Sequence, residues 1–355
     1  MPTLTTDAVR RLRATAQGLY RARDRDPVRA LDRVFAVQAQ DATAAALGLR
    51  ARTAGARLGD VTRAVETDRT IVRGWFMRGT LHLVPAADVR WLLALLGPVF
   101  LAAGRRRYTE LGLDDALLAR ADALILEAVA ESPLTRAELT ERLTGIGVPA
   151  TGQAAFHLIR RNALAGRICQ GPARGGEPAY VALDDWLPGT DPGWEPEEAA
   201  ARLAGRYLAA YAPASAADFA HWSGLPAAVA RAAWRTLDTV EVTVAGKPCA
   251  LPAERADEIA AAAPDGPGDL RLLPAYDNYL VGWRDRTLSV PPGRERAVWP
   301  GGGQIRPTVV VDGHAAGTWR RTGAAVEVSP FEELPEPLRE AADAEAADVV
   351  RFLTG

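Results

Sequence analysis

The chain contains very little cysteine and histidine, and this scarcity argues against several classes of site. Its only two cysteines, Cys169 and Cys249, lie far apart in sequence, and its four histidines are scattered. Because no C-x-x-C pair is present, the sequence supports neither a disulfide framework nor a zinc site. We therefore expect no bound metal and a reduced, cytoplasmic environment.

Long apolar runs and the common enzyme motifs are missing as well. No stretch of 18 apolar residues is free of charge, so we expect no membrane span, and the N-terminus does not have the pattern of a secretion signal. The chain has no G-x-S-x-G, H-E-x-x-H, Walker or dinucleotide-binding motif, so we expect no cofactor. Its one lysine, Lys247, lies in a predicted surface turn, which argues against Schiff-base chemistry.

The charge that is present is unevenly distributed. The net charge of the whole chain is −2. Residues 1–110 hold 19 arginines against 10 acidic residues, a net charge of +9, and the remaining residues carry −11. Such asymmetry favours a basic half that faces a polyanion. The slightly negative net charge of the whole chain argues against a protein that coats nucleic acid nonspecifically.

Three successive blocks combine helical patterns with paired strand patterns. In each block the helices precede two short strands joined by a turn, which is typical of a winged helix-turn-helix. From Asp269 the periodicity changes to strands separated by Pro/Gly turns, and a polar helix closes the chain. We therefore divide the chain into residues 1–112, 113–190, 191–262 and 263–355.

The triplet Gln38-Ala39-Gln40 is the strongest indication of chemistry. A glutamine accepts a hydrogen bond from water through its oxygen and donates through its amide, but it does not remove a proton as a carboxylate does. Within a helix, residues two apart point about 200° from one another, so the two side chains share a target only if the preceding helix ends near Val37. Asp41 is then either a general base or the N-cap of a helix that starts at Ala42.

Four blocks of the sequence resemble one protein family in the correct order. They are Val-Gln-Ala-Gln-Asp (37–41), Trp-Phe-Met-Arg-Gly-Thr-Leu-His (75–82), Leu-Leu-Pro-Ala-Tyr-Asp-Asn-Tyr (272–279) and Gly-Thr-Trp-Arg (317–320). They resemble the AlkZ/YcaQ-like bacterial DNA glycosylases, which are also described as winged-helix DNA-binding domain proteins. The resemblance implies an α+β fold, with three tandem winged helix-turn-helix domains and a small C-terminal β-barrel curved around a concave DNA-binding surface.

The same resemblance implies an activity and its catalytic residues. Gln38 and Gln40 match the family's catalytic motif in the two-glutamine form of the AlkZ branch. The implied reaction is monofunctional excision of N-alkylated bases from double-stranded DNA, including the interstrand cross-links left by DNA-alkylating antibiotics. We expect a monomer that uses water as the nucleophile. A noncatalytic winged-helix protein, either a transcriptional regulator or a lesion- or drug-binding resistance factor, is the alternative.

Several further side chains are candidates for contact with DNA. Arg78, Thr80 and His82 alternate along a predicted strand and so share a face. Either all three contact phosphate, or His82 has a structural role and forms a hydrogen bond within its domain. Arg73 and Arg78 flank Trp75, which is either a core residue or a wedge that stacks on a base.

The C-terminal part of the sequence adds two candidate segments. The loop 291–303, with Arg294 and Arg296, is predicted to be a mobile hairpin that probes DNA. The polar run Tyr276-Asp277-Asn278 interrupts a strand pattern, and it either lines a groove or holds the barrel to the first domain.

Overall fold

The described residues fold into two compact units. The computed structural model describes residues 2–20, 23–261, 268–323 and 325–355. The first unit combines residues 1–61 with 200–355, and the second unit consists of residues 62–199. The predicted domain boundary at residues 262 and 263 lies outside the described residues.

The first unit begins with short elements and resumes after residue 199. Its N-terminal elements are β1 (Thr3–Leu4), α1 (Thr6–Ala16), α2 (Pro27–Val34), β2 (Val37–Gln38) and α3 (Ala42–Arg52). Helix α4 (Leu58–Glu66) runs across the boundary into the second unit.

The second unit contains a β-hairpin followed by a helical segment with its own small sheet. Its elements are β3 (Ile71–Trp75), β4 (Leu81–Pro85), α5 (Val89–Glu110), α6 (Asp115–Glu131), β5 (Leu134–Thr135), α7 (Arg136–Gly145), α8 (Ala154–Leu164), β6 (Ile168–Arg174), β7 (Glu177–Ala182) and α9 (Leu183–Trp186). Strands β3 and β4 are antiparallel, and the second sheet has the order β5-β7-β6. A capping box between Thr135 and Glu138 starts α7.

The remaining elements return the chain to the first unit. They are α10 (Pro196–Tyr211, which starts before the boundary), α11 (Ala216–Ser223), α12 (Ala227–Trp234), β8 (Thr239–Val244), β9 (Lys247–Pro252), α13 (Glu258–Ala261), β10 (Leu270–Leu273), α14 (Asn278–Val281), α15 (Glu295–Val298), β11 (Thr308–Val311), β12 (His314–Thr322), β13 (Ala325–Pro330) and α16 (Glu336–Thr354). Strand β1 pairs in parallel with β8, which links the two ends of this unit.

The four C-terminal strands form an open antiparallel sheet. Their order is β10-β11-β12-β13, each strand pairing with the next, and helix α16 packs against β10 and β13. Within the described residues no sheet closes into a barrel, so the expected C-terminal β-barrel is not confirmed. The fold is a mixed α+β arrangement of helices with several small sheets.

Aromatic residues form the core of the first unit beneath α10. Tyr207 and Tyr211 stack with ring centroids 4.7 Å apart, and Trp222 lies 5.1 Å from Tyr207. The indole of Trp283 donates a hydrogen bond to the Tyr211 carbonyl at 2.9 Å. Because these large side chains are almost fully buried, they fix α10 and α11 against the segment that follows α14.

One helix in the described part of the chain is long and apolar enough to cross a membrane. It is Ala86–Glu110, which contains α5, and half of its apolar window is buried inside the protein. It packs against α8 within the second unit. The core helices of proteins that do not span membranes commonly have this length and composition.

Candidate active site

The segment that carries the two glutamines is not helical. Helix α2 ends at Val34, and Phe35 follows with a φ of 66°, a left-handed conformation that stops the helix. Gln38 lies on β2 and Gln40 lies in a bend. The condition that the helix must end before the triplet is therefore met.

Burial alternates along the triplet. Ala39 is fully buried, whereas Gln38 is half-buried and Gln40 is exposed. In an extended chain, side chains two apart point to the same side, opposite to the one between them. The buried alanine thus indicates that both carboxamides lie on the less buried side of this segment.

Asp41 caps the next helix. Its backbone has a φ of −107°, and its carboxylate accepts a hydrogen bond from the amide of Ala44 at 2.9 Å. This is the geometry of an N-cap residue, which satisfies an amide that has no partner within the helix. Of the two roles considered for Asp41, the cap is the one observed.

Asn278 contacts the backbone on both sides of Val37. Its side-chain oxygen accepts a hydrogen bond from the amide of Gln38 at 3.2 Å, and its side-chain nitrogen donates to the carbonyl of Ala36. Asn278 is only 3% exposed. Of the two roles considered for the polar run 276–278, a contact with the first domain is the one observed, although the sequence did not identify the partner residues.

A buried ion pair lies directly beside Asn278. Both nitrogens at the end of Arg52 donate to the two carboxylate oxygens of Asp277, at 2.8 and 2.9 Å. Arg52 also donates to the side chain of Gln17 at 3.0 Å and to the carbonyl of Gly48 at 2.8 Å. Bidentate pairing with additional hydrogen bonds is the arrangement that compensates best for removing these charges from water.

Two of the predicted DNA contacts are engaged within the second unit. Arg73 is half-buried and donates to the side-chain oxygen of Gln170 at 2.9 Å. Trp75 is only 4% exposed, and its ring lies 6.2 Å from that of Phe156 and 6.3 Å from that of Tyr180. Trp75 is therefore a core residue, and its interpretation as a base-stacking wedge is wrong.

Arg78, Thr80 and His82 do not share the face of a strand. Arg78 lies in a single 3-10 turn with a φ of 56°, and β4 begins only at Leu81. Gly79 also has a positive φ, of 62°, so two successive left-handed residues reverse the chain here. The prediction of regular alternation through 78, 80 and 82 is wrong for this reason.

His82 is a buried, neutral side chain. It is 1% exposed, and its Nδ1 lies 2.9 Å from the carbonyl oxygen of Thr80. Burial, assisted by the nearby positive charge of Arg78, lowers the pKa of His82 to about 3. A ring that stays neutral at physiological pH does not act as a cationic contact for phosphate, so of the two roles considered for His82 the structural one is observed.

Arg294 is the N-cap residue of the short helix α15, and Arg296 lies within it. The predicted hairpin in residues 291–303 is wrong, because this segment contains α15. Arg294 is exposed, with its guanidinium 5.3 Å from the ring centre of Phe331, and Arg296 is exposed as well. Both cations are accessible to solvent in the first unit.

Comparisons with known proteins agree with one another. A family model described as DNA glycosylase AlkZ-like matches residues 31–352. An interstrand DNA cross-link repair glycosylase of Streptomyces sahachiroi is 31% identical over 347 residues, which cover 90% of this chain and 88% of that protein. The solved structure of the Streptomyces sahachiroi DNA glycosylase AlkZ superposes with a TM-score of 0.85 at 27% identity, covering 99% of this chain and 97% of that one.

Proposed function

The chain belongs to the AlkZ-like DNA glycosylase family, and from this premise we propose that it repairs interstrand cross-links and other adducts of alkylated DNA. The reaction is hydrolysis of the N-glycosidic bond that joins an alkylated purine to its sugar. The relative that bears the name of a cross-link repair glycosylase supports this proposal, because the match covers nearly all of both chains.

Gln38 and Gln40 carry the proposed chemistry. The single observation on which the assignment rests is that the triplet is not helical, with Ala39 buried between two more exposed glutamines. In this arrangement one amide orients a water molecule toward the sugar carbon while the other contacts DNA. Water is the proposed nucleophile.

The limited basicity of glutamine defines the proposed substrate. A purine alkylated at N7 or N3 is positively charged, so its glycosidic bond is already weakened and the base leaves without being protonated. The remaining task is to stabilise a sugar with oxocarbenium character and to place a water molecule beside it. Unmodified bases are poor leaving groups, and a site without a strong base spares them.

We further propose that the chain contains three winged helices, in residues 1–112, 113–190 and 191–262. The order α6-β5-α7-α8-β6-β7 supports this for the second of them, since it is the order of helices and strands in a winged helix. The third block, with α10, α11, α12, β8 and β9, follows a similar order. We also propose that the protein is a monomer and that it acts on chromosomal DNA in the cytoplasm.

The proposed phosphate contacts are the accessible members of the predicted set. Arg294 and Arg296 are exposed, whereas Arg73, Arg78 and Thr80 are half-buried. Guanidinium groups are well suited to phosphate because they donate several hydrogen bonds in one plane. Arg294 and Arg296 would position the duplex, while the glutamines act on the adduct.

A single-turnover excision assay tests the proposed function. The substrates are duplex oligonucleotides with one N7-alkylguanine or one cross-link, and alkali cleavage reveals the abasic sites. The native chain should produce cleavage above spontaneous depurination. The variant Gln38→Ala/Gln40→Ala should lose a factor of about 100 or more in rate and keep its DNA affinity, because its defect lies in the reaction.

An exposed glutamine in the second unit provides a matched control. Gln153 is the N-cap residue of α8 and bonds to Arg107, so Gln153→Ala removes a carboxamide without touching the triplet. Its excision rate should equal that of the native chain. Absence of product from the native chain on every adduct would favour the noncatalytic DNA-binding alternative.

A further inference from the structure

We propose that Asn278 is a positioning residue for the reaction, which it serves by holding the backbone that presents Gln38. This inference rests on the proposed function, because it assigns a role toward the same two glutamines. Asn278 follows Gln38 by 240 residues. It belongs to α14, and the triplet lies between α2 and α3.

The side chain of Asn278 acts as a short substitute for a neighbouring strand. Its oxygen accepts from the amide of Gln38, and its nitrogen donates to the carbonyl of Ala36. These are one donor and one acceptor two residues apart, the same pair that a strand in a sheet would engage. Strand β2 is only two residues long, so a side-chain partner of this kind adds substantially to its order.

Asn278 is itself held in place through Asp277. The Asp277 carboxylate pairs with both terminal nitrogens of Arg52, and it also accepts from the amide of Tyr279 at 2.9 Å. Arg52 is the last residue of α3, the helix that starts directly after the triplet. The triplet is therefore connected to the start of α14 along two routes, one through Asn278 and the other through α3.

Close packing around Gly48 keeps this assembly compact. A methyl group at Gly48 would lie 3.4 Å from a carboxylate oxygen of Asp277 and 3.5 Å from a methyl carbon of Val37. The helix that carries Arg52 thus lies near both the start of α14 and the strand of Gln38. Small backbone shifts at Asn278 are consequently transmitted to Val37 and Gln38.

The expected defect is in the rate and not in affinity. Asn278 is only 3% exposed, so it makes no direct contact with a duplex. Its removal leaves the exposed arginines in place but lets the amide and carbonyl on either side of Val37 move. Because small misplacements of reacting groups are costly, Asn278→Ala should lower the single-turnover rate by about 10- to 100-fold, with a change in DNA affinity of less than about threefold.

The variant Asn278→Asp separates positioning from a general loss of structure. A carboxylate accepts from Gln38 but cannot donate to the carbonyl of Ala36, whereas a protonated carboxyl can. Burial beside Asp277 raises the pKa of the new carboxyl, and the Arg52 guanidinium, already paired with Asp277, opposes that rise. The rate of Asn278→Asp relative to the native chain should therefore increase several-fold as the pH falls from about 8 to about 5.

Asn162→Ala is the matched control for the loss of a buried asparagine. Asn162 lies in the second unit and donates to Asp122 at 2.8 Å and to the Leu158 carbonyl at 3.0 Å. This variant should keep the native rate at temperatures where it is folded. The inference is overturned if Asn278→Ala retains the native rate while folded, if Asn162→Ala loses as much, or if the pH profile of Asn278→Asp matches that of the native chain.

We call the two hydrogen bonds of Asn278 to the Gln38 amide and the Ala36 carbonyl the clamp. Amide hydrogen exchange tests the clamp without any reaction. The Gln38 amide of the full chain should exchange about fivefold or more faster in Asn278→Ala than in the native chain or in Asn162→Ala, since one hydrogen bond of about 1 kcal/mol is lost. If the native chain excises no adduct, the proposed function fails, and the exchange result judges the clamp separately. Unchanged exchange at Gln38 refutes the clamp.

Discussion

Gln38 and Gln40 have different surroundings although they belong to the same motif. The backbone of Gln38 is bound by a buried side chain, and its own side chain is half-buried. Gln40 lies in an exposed bend directly before the capping residue of α3. The position of Gln38 is therefore set by distant parts of the chain, whereas that of Gln40 is set by the start of the next helix.

The capping role of Asp41 gives a prediction that separates it from a general base. Asparagine caps a helix about as well as aspartate but cannot accept a proton at neutral pH. Asp41→Asn should thus keep the excision rate within about threefold of the native chain, whereas Asp41→Ala should cost about 1 kcal/mol in the free energy of unfolding. Single-turnover assays measure the rate, and urea denaturation measures the free energy of unfolding. A loss of about 100-fold in the excision rate of Asp41→Asn would instead favour the general-base role.

At the level of single residues, sequence reasoning singled out the triplet but did not identify the residues that contact it. The glutamines are recognisable because they are only two residues apart in sequence and match a family motif. Asn278 and Arg52 act through contacts that span 240 and 225 residues, and no local pattern encodes such a contact. The polar run at 276–278 was visible, but its partner was not.

The β3–β4 hairpin shows why an element can be predicted correctly while its side chains are placed wrongly. The first block was predicted to contain two short strands joined by a turn, and β3 and β4 are such an antiparallel pair. The connection between them is a 3-10 turn in which Arg78 and Gly79 have positive φ. Left-handed residues break the alternation of side chains, and only glycine signals such a position in a sequence.

The contact of α5 with α8 gives a prediction about an element. A methyl group at Gly97 would overlap the backbone carbonyl oxygen of Leu164, so α5 and α8 would have to move apart. Gly97→Ala should therefore lower the free energy of unfolding by about 1–3 kcal/mol, although alanine favours helices. At Gly145, in α7, the same methyl group meets nothing within 4 Å, and Gly145→Ala should be neutral or stabilise by up to about 1 kcal/mol. Urea denaturation of both variants measures the difference, and equal stabilities would contradict the close approach.

On the scale of the whole molecule, much of the N-terminal arginine excess is neutralised by internal pairing. At least nine of the 19 arginines in residues 1–110 form ion pairs: Arg10, Arg23, Arg33, Arg50, Arg52, Arg63, Arg90, Arg106 and Arg107. The acidic C-terminal helix α16 supplies Glu345 to Arg23 and Arg50. The charge asymmetry of the sequence is thus partly a feature of folding, and it overstates the cationic surface available to DNA.

The buried His82 and the half-buried His314 predict how the stability of the molecule depends on pH. Burial lowers the pKa of His82 to about 3 and that of His314 to about 4, from an ordinary value of 6.5. The unfolded chain takes up these protons below about pH 6.5 while the folded chain does not, so acid favours unfolding. The stabilisation is fully present above pH 6.5 and should be lost progressively as the pH falls toward 4 and then 3.

Urea denaturation between pH 7.5 and pH 5 measures this dependence. The variant His82→Gln/His314→Gln should show a flatter decline than the native chain. His221 is exposed, so His221→Gln provides the control and should keep the native slope. An unchanged slope in the double variant would show that other groups cause the acid sensitivity.

The discontinuity of the first unit has a consequence for biosynthesis. The second unit is one continuous stretch of chain, so all of it leaves the ribosome before the first unit is complete. The strand of Gln38 must instead wait for Asn278, which emerges 240 residues later, about 10–50 s at ordinary rates of translation. The proposed site therefore cannot assemble on a nascent chain that still lacks Asp277 and Asn278, and translation that ends early leaves the chain without a working centre.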